Sequence, residues 1–518
     1  ERRDKLREEQ KGVVKNSIGR IFITALLILI QVVWLIELFI RLNQYSTGIS
    51  LVSSAIALIV VIKIYGRDMN SAMKMPWMIL IMAFPVAGVG IYLLCGHSGV
   101  NIGIRKHFQA LQSELTPLLP DKEDILQKMS DEDRQTANMA HYISHSAGYP
   151  VYDNTDLEFY PEAVDGFEAQ KEALKQAKKF IFMEYHAIED AQSFAGMKSI
   201  LFEKAKKGVE VRLIYDDVGS MGFINTDFVK QMESQGIQCR IFNKIVPFVN
   251  MFMNNRDHRK ITVIDGQVGF TGGYNLADEY FNITHPYGLW KDTGVRMEGD
   301  AVRSLTVMFL EMWNAIKKTD TAYTAYFPEI TYTAKQTGYV QPYADNPLDD
   351  EHTGENVYMN VLNSAREYAY FITPYLLISD EMKKAFTLAA RRGVDVRIIT
   401  PGIPDKKFVY QATRSYYNRL VKKGVRIFEY TPGFCHAKQC VSDDKAAVVG
   451  TINLDYRSLY HHFENAAAFY HKDAVAGVKA DFDHLFEECH EVTEQYRSHR
   501  STALRIGQCI LRLFAPLL

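Results

Sequence analysis

The chain contains the stretch His258-Arg-Lys-Ile-Thr-Val-Ile-Asp265, which is followed by Gly272 and Asn275. The same residue types return at the same spacing further along the chain. The second copy consists of His436-Ala-Lys-Gln-Cys-Val-Ser-Asp443, then Gly450 and Asn453. One such frame arises by chance in roughly one chain in twenty, and two with matching glycine and asparagine are far rarer. The frame His-x-Lys-x4-Asp-x6-Gly-x2-Asn therefore marks a duplicated functional motif.

The local pattern predicts where the frame side chains point. Residues 260–264 are β-branched or strand-compatible and end in Asp265-Gly266, a strong turn dipeptide, after which residues 267–271 return as a second strand. Because residues two apart in a strand share one face, His258 and Lys260 project together, as do His436 and Lys438. We expect the two pairs to face each other and to hold a phosphodiester between them.

The sequence around the frames is also duplicated. Residues 205–214 and 390–399 both read as the end of a helix, a glycine and a β-branched strand. This alternation predicts an α/β fold with parallel sheets and helices on both faces. We predict a first lobe at residues 149–335 and a second at 336–518, with one active site at their interface. A connecting helical segment at residues 101–148 precedes them.

The frame residues suit phosphoryl transfer. The reaction needs a nucleophile, an acid for the departing alcohol, and positive charge over the phosphate oxygens. One histidine would form a phosphohistidine while the other exchanges protons, without metal or cofactor. The aspartates belong to the frame and are candidate catalytic residues by that membership, although their position at turns favours a structural part. The candidates are catalytic His258, Lys260, Asp265, His436, Lys438 and Asp443, phosphate-binding Asn275 and Asn453, and histidine-orienting Asp292 and Glu464.

The first hundred residues predict a helical membrane anchor. Apolar runs at residues 21–40, 49–64 and 77–94 are near the roughly 17–25 residues that cross a bilayer. Pro85 in the third run predicts a kink or a re-entrant path. Basic residues before the first run and between the second and third would lie inside, which places the lobes on the outer face if all three runs cross. The unpaired cysteines argue against an oxidising face.

Composition excludes several classes of protein. A net charge of -2 from 59 basic and 61 acidic side chains lacks the basic excess of a nucleic-acid binder. The six cysteines form neither a zinc pattern nor a disulfide framework. A catalytically silent scaffold is also disfavoured, because all four frame histidines and lysines are present. The oligomeric state is not readable from the sequence.

The duplicated frame resembles the HKD motif of the phospholipase D superfamily over residues 150–518. Five further stretches resemble bacterial cardiolipin synthases more closely, namely residues 272–280, 290–293, 373–375, 450–458 and 511–518, as does the run at 76–96. The resemblance implies a multi-pass enzyme of the bacterial cell membrane that converts two phosphatidylglycerol molecules into cardiolipin and glycerol. It also places the nucleophile on His258. The alternative within the superfamily is a phospholipase D that hydrolyses phospholipid to phosphatidic acid.

Overall fold

The computed structural model describes residues 47–96, 102–120, 122–245, 254–498 and 502–517, with isolated positions between 22 and 37. The basic tail before residue 21 lies outside the described residues, and so do nine of the twenty residues in the apolar run at 21–40. The N-terminal helices are α1 Thr47–Tyr65, α2 Ser71–Ala83 and α3 Pro85–Ile91, followed by a π-helical turn at Tyr92–Gly96.

The third apolar run is interrupted, and the kink expected at Pro85 is confirmed. Helix α2 ends at Ala83, Phe84 leaves the helical region, and α3 begins with Pro85. None of the helices within the described parts of the chain combines the length and the apolar character needed to cross a membrane. The predicted helical membrane anchor is therefore not confirmed.

Three helices connect this region to the lobes: α4 Ile102–Leu115, α5 Glu123–Glu132 and α6 Arg134–Ser146. Their buried side chains, among them Leu115, Met129 and Ile143, belong to the same hydrophobic cluster as residues from both sheets. Gln341 on the second sheet donates to the carbonyl oxygens of Ala140 and Tyr149. The segment is thus packed against the lobes rather than extended between them.

The first sheet has seven strands in the order β1-β8-β6-β5-β2-β3-β4. Its strands are β1 Thr155–Tyr160, β2 Phe180–Tyr185, β3 Glu210–Asp216, β4 Gln238–Phe242, β5 Lys260–Ile264, β6 Val268–Gly272 and β8 Gly294–Gly299; β7 Leu289–Lys291 lies apart from it. The helices of this lobe are α7 Ala163–Gln176, α8 Gln192–Lys206, α9 Phe228–Ser234 and α10 Val302–Ile316.

The second sheet has eight strands in the order β17-β12-β11-β10-β14-β15-β16-β9. Its strands are β9 Tyr339–Asp345, β10 Tyr368–Ile372, β11 Asp395–Pro401, β12 Arg426–Tyr430, β14 Gln439–Ser442, β15 Ala446–Gly450, β16 Glu464–Tyr470 and β17 Cys489–Glu491, and β13 Gly433–Cys435 lies apart. The helices are α11 Thr353–Ser364, α12 Asp380–Arg391, α13 Lys407–Val421, α14 Tyr456–Tyr460, α15 Asp473–Glu488, α16 Thr493–Arg497 and α17 Thr502–Phe514.

The prediction of two similar α/β lobes is confirmed, whereas the prediction of parallel sheets is only half right. Strands β2, β3 and β4 are parallel, as are β10, β11 and β12. Strands β5, β6 and β8 run antiparallel to their neighbours, and so do β14, β15 and β16. The tight turn at the aspartate of each frame joins two strands into a hairpin. The two strands of a hairpin are antiparallel, so each frame adds antiparallel strands to its sheet. Each sheet is therefore mixed.

The lobes are joined by backbone pairing near the frames. Strands β7 and β13 form a two-stranded parallel sheet of their own, and Asp257 bridges to Phe463. Both pairings connect the segment just before one frame histidine with a segment of the opposite lobe. The boundary between the lobes is thus fixed at the two frames.

Candidate active site

The two frame histidines lie where the lobes meet. His258 precedes β5, and His436 follows β13. His258 N donates to Phe463 O over 2.9 Å, and His436 N donates to Lys291 O over 2.7 Å. Because both bonds join one lobe to the other through the backbone, they hold the two copies of the frame together at the boundary.

Each histidine is held by a carboxylate of the opposite lobe. His258 Nδ1 lies 2.8 Å from Glu464 Oε2, and His436 Nδ1 lies 2.7 Å from Asp292 Oδ2. A carboxylate accepts hydrogen bonds, so each Nδ1 carries the hydrogen and each Nε2 keeps its lone pair. Each candidate orienting residue thus contacts the frame histidine of the other lobe: Glu464 contacts His258, and Asp292 contacts His436.

The two carboxylates have different surroundings. Glu464 also accepts from Ser458 Oγ over 2.6 Å and from the hydroxyl of Thr451. Asp292 accepts from Thr293 N over 3.0 Å, and a Cβ at Gly273 would lie 2.0 Å from its Oδ1, so this position needs glycine. Burial raises the pKa of Asp292, but its interaction with His436 and the charge of Lys438 outweigh burial and hold that pKa below its usual value.

Both frame lysines are buried beside their histidines. Lys260 Nζ donates to His258 O over 2.6 Å, and Lys438 Nζ donates to His436 O and lies 2.6 Å from His436 Nδ1. Burial lowers the pKa of Lys260 to about 7 and that of Lys438 to about 8, although the carboxylates oppose the shift. An anion bound between the lysines would favour their charged forms.

Both imidazoles are neutral in the free site. Burial and the charges of Lys260 and Lys438 hold the pKa of His258 well below its usual value. Burial and Lys438 lower the pKa of His436 to about 3, against the pull of Asp292. A neutral imidazole whose Nε2 is free is a competent nucleophile and proton acceptor.

The ring neighbours distinguish the two histidines. The His436 ring lies among Tyr280, Trp290 and Phe434, at centroid distances of 5.2, 5.3 and 6.1 Å. The His258 ring instead lies 4.9 Å from His186 and 5.5 Å from His462. Aromatic faces stabilise a cation, whereas neighbouring imidazoles do not. The surroundings of His436 are therefore the better suited to an imidazolium.

Two further histidines, His186 and His462, lie beside His258 and were not predicted from the sequence. His186 follows β2 directly, and its Nδ1 lies 2.7 Å from Asp257 O. His462 precedes Glu464 by two residues, and its Nδ1 lies 3.6 Å from Glu464 Oε1. Side chains at the carboxyl ends of parallel strands commonly line sites, and residues two apart share a face. These two signals were present in the sequence, but neither is specific.

The two frame asparagines, predicted to bind phosphate, have different hydrogen-bond partners. Asn275 Nδ2 donates to Tyr280 Oη over 2.7 Å, and its Oδ1 accepts from Ala187 N over 3.1 Å. These two hydrogen bonds connect the side-chain amide of Asn275 to neighbouring segments of the first lobe. Asn453 is also buried, and its Oδ1 has no hydrogen-bond partner within the described residues. The unpartnered Oδ1 of Asn453 is an acceptor, so only the amide Nδ2 of either asparagine could donate to a phosphate oxygen, and phosphate binding by Asn275 and Asn453 stays a prediction.

The frame aspartates lie at the far ends of their strands. Asp265 accepts from the backbone N–H groups of Lys178, Lys179 and Phe180 over 2.7–2.9 Å. Asp443 makes the equivalent three bonds in the second lobe. Both have positive φ, +54° and +53°. The contacts fix the hairpin against the preceding strand, so the geometry supports a structural role and places neither aspartate with the reacting groups.

Asp265→Ala is expected to lower the free energy of unfolding by about 3 kcal/mol, because it removes an acceptor from three backbone donors. The measurements are the thermal unfolding midpoint and the turnover per folded molecule at low temperature. The exposed Asp227 does not cap its helix through its side chain, so Asp227→Ala is the control. Loss of turnover in Asp265→Ala without loss of stability would contradict the structural role.

One cluster in the described residues could be taken for a metal site. Ligand atoms of His258, His462 and Glu464 lie within 4.8 Å of one another. However, Arg457 Nε donates to His462 Nε2 over 3.3 Å, which leaves the hydrogen of His462 on Nδ1, directed at Glu464. Since His258 also directs its Nδ1–H at Glu464, the Nδ1 atoms of both histidines carry hydrogens rather than the lone pairs that a metal ion needs.

Comparison with known proteins identifies the family. The family model described as cardiolipin synthase, PLD-like domain, matches residues 171–313 and 358–486, which include both frames. A cardiolipin synthase of Halalkalibacterium halodurans is 31% identical over 88% of this chain and 91% of its own length. One from Geobacillus is 32% identical over 91% and 94%. The chain belongs to the cardiolipin synthase family of the phospholipase D superfamily.

Other matches extend beyond the family's two lobes. A phospholipase D-nuclease N-terminal model matches residues 53–97. An uncharacterized protein of Streptococcus mutans is 42% identical over 88% of this chain and 99% of its own. The crystal structure of a phosphatidylserine synthase from Haemophilus influenzae superposes with a TM-score of 0.54 at 14% identity, covering 74% of this chain and 98% of that one. The last match shows that the two-lobed fold is shared.

Proposed function

We propose that the chain transfers a phosphatidyl group from one phosphatidylglycerol to another, giving cardiolipin and glycerol through a phosphohistidine on His258. The observation that carries the proposal is the pair of buried frame histidines, each bonded through Nδ1 to a carboxylate of the other lobe. Membership of the cardiolipin synthase family supports the substrate class.

The first step forms the covalent intermediate. His258 Nε2 attacks phosphorus, and the bond from phosphorus to the departing glycerol oxygen breaks. That oxygen takes a proton from the His436 imidazolium. The negative charge of the bound phosphodiester favours this imidazolium, as do Asp292 and the surrounding aromatic rings. Lys260 and Lys438 stabilise the charge that develops on the phosphate oxygens.

The second step reverses the proton movement. The headgroup hydroxyl of a second phosphatidylglycerol gives its proton to His436 and attacks phosphorus. The bond from phosphorus to His258 Nε2 breaks and regenerates the neutral imidazole. His436 takes up this proton from solvent when the anionic phosphodiester binds, gives it to the departing glycerol and regains one from the acceptor hydroxyl, so the proton balance closes.

The surroundings of the two imidazole rings support different roles for the two histidines. Glu464 is shared with two hydroxyl donors, which weakens its pull on the His258 proton. Burial and the charges of Lys260 and Lys438 also disfavour a charged His258. These contacts support His258 as the nucleophile and His436 as the acid and base, in agreement with the sequence resemblance.

The proposal is tested with purified full-length protein and labelled phosphatidylglycerol in mixed micelles or vesicles. Cardiolipin and glycerol should appear in equal amounts. Accumulation of phosphatidic acid without cardiolipin would show that water is the acceptor and that the chain is a hydrolase.

Exhaustive chelation is expected to leave cardiolipin formation in neutral detergent largely intact, because two lysines already supply the charge that a cation would provide. The measurement is turnover before and after dialysis against a strong chelator. Loss of activity that one divalent ion restores would contradict a metal-free mechanism.

We further propose that the lobes comprise residues 149–335 and 336–518, and that residues 101–148 connect them to residues 1–100. We also propose that the enzyme works at the bacterial cell membrane. The number of membrane crossings and the outward placement of the lobes stay predictions from the charge pattern. Labelling of Lys383→Cys by an impermeant thiol reagent, in intact cells whose native cysteines are replaced, distinguishes the two faces.

A further inference from the structure

The lobes expose few large apolar side chains, and most of them lie together. Within the described part of residues 149–498, eight are exposed. Val164 and Leu388 lie on helices α7 and α12. The other six, here called the apolar rim, are 38–52% exposed and consist of Val218, Phe223, Ile283, Leu289, Ile403 and Phe408.

The apolar rim follows the carboxyl ends of the strands. Val218 and Phe223 come after β3, while Ile403 and Phe408 come after β11. Ile283 and Leu289 flank the loop before β7. In sheets of this kind the carboxyl ends of the parallel strands form the edge at which the ligand site opens.

Backbone contacts connect the rim to the two histidines. Gly219, next to Val218, packs so closely against His186 that a Cβ there would lie 2.7 Å from the ring. Leu289 directly precedes Trp290, which lies against His436. Ile403 N donates to Gly433 O at the start of β13, three residues before His436. Segments that carry rim residues therefore border the site both at His186, which lies beside His258, and at His436; this border is here called the mouth of the site.

A lipid substrate has to place its polar headgroup in a buried site while its acyl chains stay out of water. His258 and His436 are each only 7% exposed, so the phosphodiester must enter a buried polar site. The acyl chains cannot follow into that site, and their transfer into water is strongly unfavourable. A mouth edged with apolar side chains can press into the bilayer and keep the chains in hydrocarbon while the headgroup enters.

We infer that the apolar rim is a bilayer-docking surface, which seats the mouth of the site in the interfacial layer of the membrane. The inference rests on the proposed function, because it takes its partner from the lipid substrate. Lys406 and Lys407 adjoin Phe408, so the rim also carries positive charge suited to anionic headgroups. Isolated apolar surface residues are ordinary, but a set gathered round one opening marks an interaction site.

The activity test compares Leu289→Ser and Phe408→Ser with the matched control Leu388→Ser. Leu289 and Leu388 are 50% and 47% exposed, but Leu388 lies near the end of α12 that is remote from the mouth. The full-length protein is assayed with long-chain phosphatidylglycerol in vesicles and with short-chain phosphatidylglycerol below its critical micelle concentration. The rim variants should lose roughly tenfold or more with vesicles and change less than twofold with the dissolved substrate.

Three outcomes would overturn the inference. Equal losses with both substrates would make the rim a structural part of the lobes. No loss with vesicles, or an equal loss in Leu388→Ser, would show that the rim does not contact the bilayer. Conversion of a dimer to monomers by the rim substitutions, measured by light scattering in detergent, would assign the surface to a second copy of the chain.

A physical measurement separates this inference from the proposed function. Phe408→Trp and Leu388→Trp are reconstituted into vesicles of brominated phospholipid, and the added fluorescence is compared with that of the unsubstituted protein. Bromine should quench the tryptophan at 408 and leave that at 388 unquenched, whereas equal quenching would contradict docking. If the protein makes no cardiolipin from either substrate, the proposed function fails, but the quenching still reports whether the rim enters the bilayer.

Discussion

His258→Ala and His436→Ala are each expected to lower cardiolipin formation by about 10⁴-fold or more. The two imidazoles act as one unit, so removal of either leaves only the positioning and charge of the rest of the site. The measurement is the initial rate with labelled phosphatidylglycerol. His484→Ala is the control, because this exposed histidine lies on α15 and its side chain is 66% exposed.

Mixing the two variants adds a second test of the same arrangement. Both histidines of the site come from one chain. A mixture of His258→Ala and His436→Ala should therefore stay inactive. Recovery of a substantial fraction of activity would mean that complete sites form between chains, and substantial activity in either variant alone would contradict the two-histidine mechanism.

Asp292→Asn and Glu464→Gln are each expected to reduce turnover by roughly 10³- to 10⁴-fold, since an amide in place of the carboxylate favours the wrong tautomer of its histidine. Both replacements preserve side-chain volume in fully buried positions. The two variants should differ in which half-reaction fails, because Glu464 orients His258 and Asp292 orients His436.

A donor lipid with p-nitrophenol in place of glycerol resolves that difference. This leaving group needs no acid, so Asp292→Asn should still release one equivalent of phenol in a rapid burst and then stall. Glu464→Gln should show no burst, because its nucleophile is misoriented. Bursts of equal size in the two variants, or the reverse order, would contradict the assignment of the histidines.

The chemistry was largely readable in the sequence because the spacing of the duplicated frame is a local property. The exchange of orienting carboxylates was not, since it depends on the β7–β13 pairing and on the bridge at Phe463. In the sequence, Asp292 follows the first frame histidine, His258. In the structure, it contacts the second frame histidine, His436.

Other errors have equally specific causes. The repeats at residues 205–214 and 390–399 predicted parallel sheets correctly for the strands they contain, but the frame hairpins add antiparallel strands. The motif placed Asn275 at the site, but its bonds to Tyr280 and Ala187 depend on the packing and could not be predicted from the spacing. A single histidine such as His186 carries no periodic signal, so the fold was needed to place it beside His258.

The most direct test of the account is to locate the covalent intermediate. His436→Ala is mixed with the p-nitrophenyl donor and quenched at alkaline pH, and the peptides are analysed by mass spectrometry. We predict a stable phosphatidyl adduct on the peptide that contains His258, because the acceptor hydroxyl has lost its base. No adduct on this peptide in His436→Ala, together with an adduct at His436 in His258→Ala, would contradict the assignment of His258 as the nucleophile.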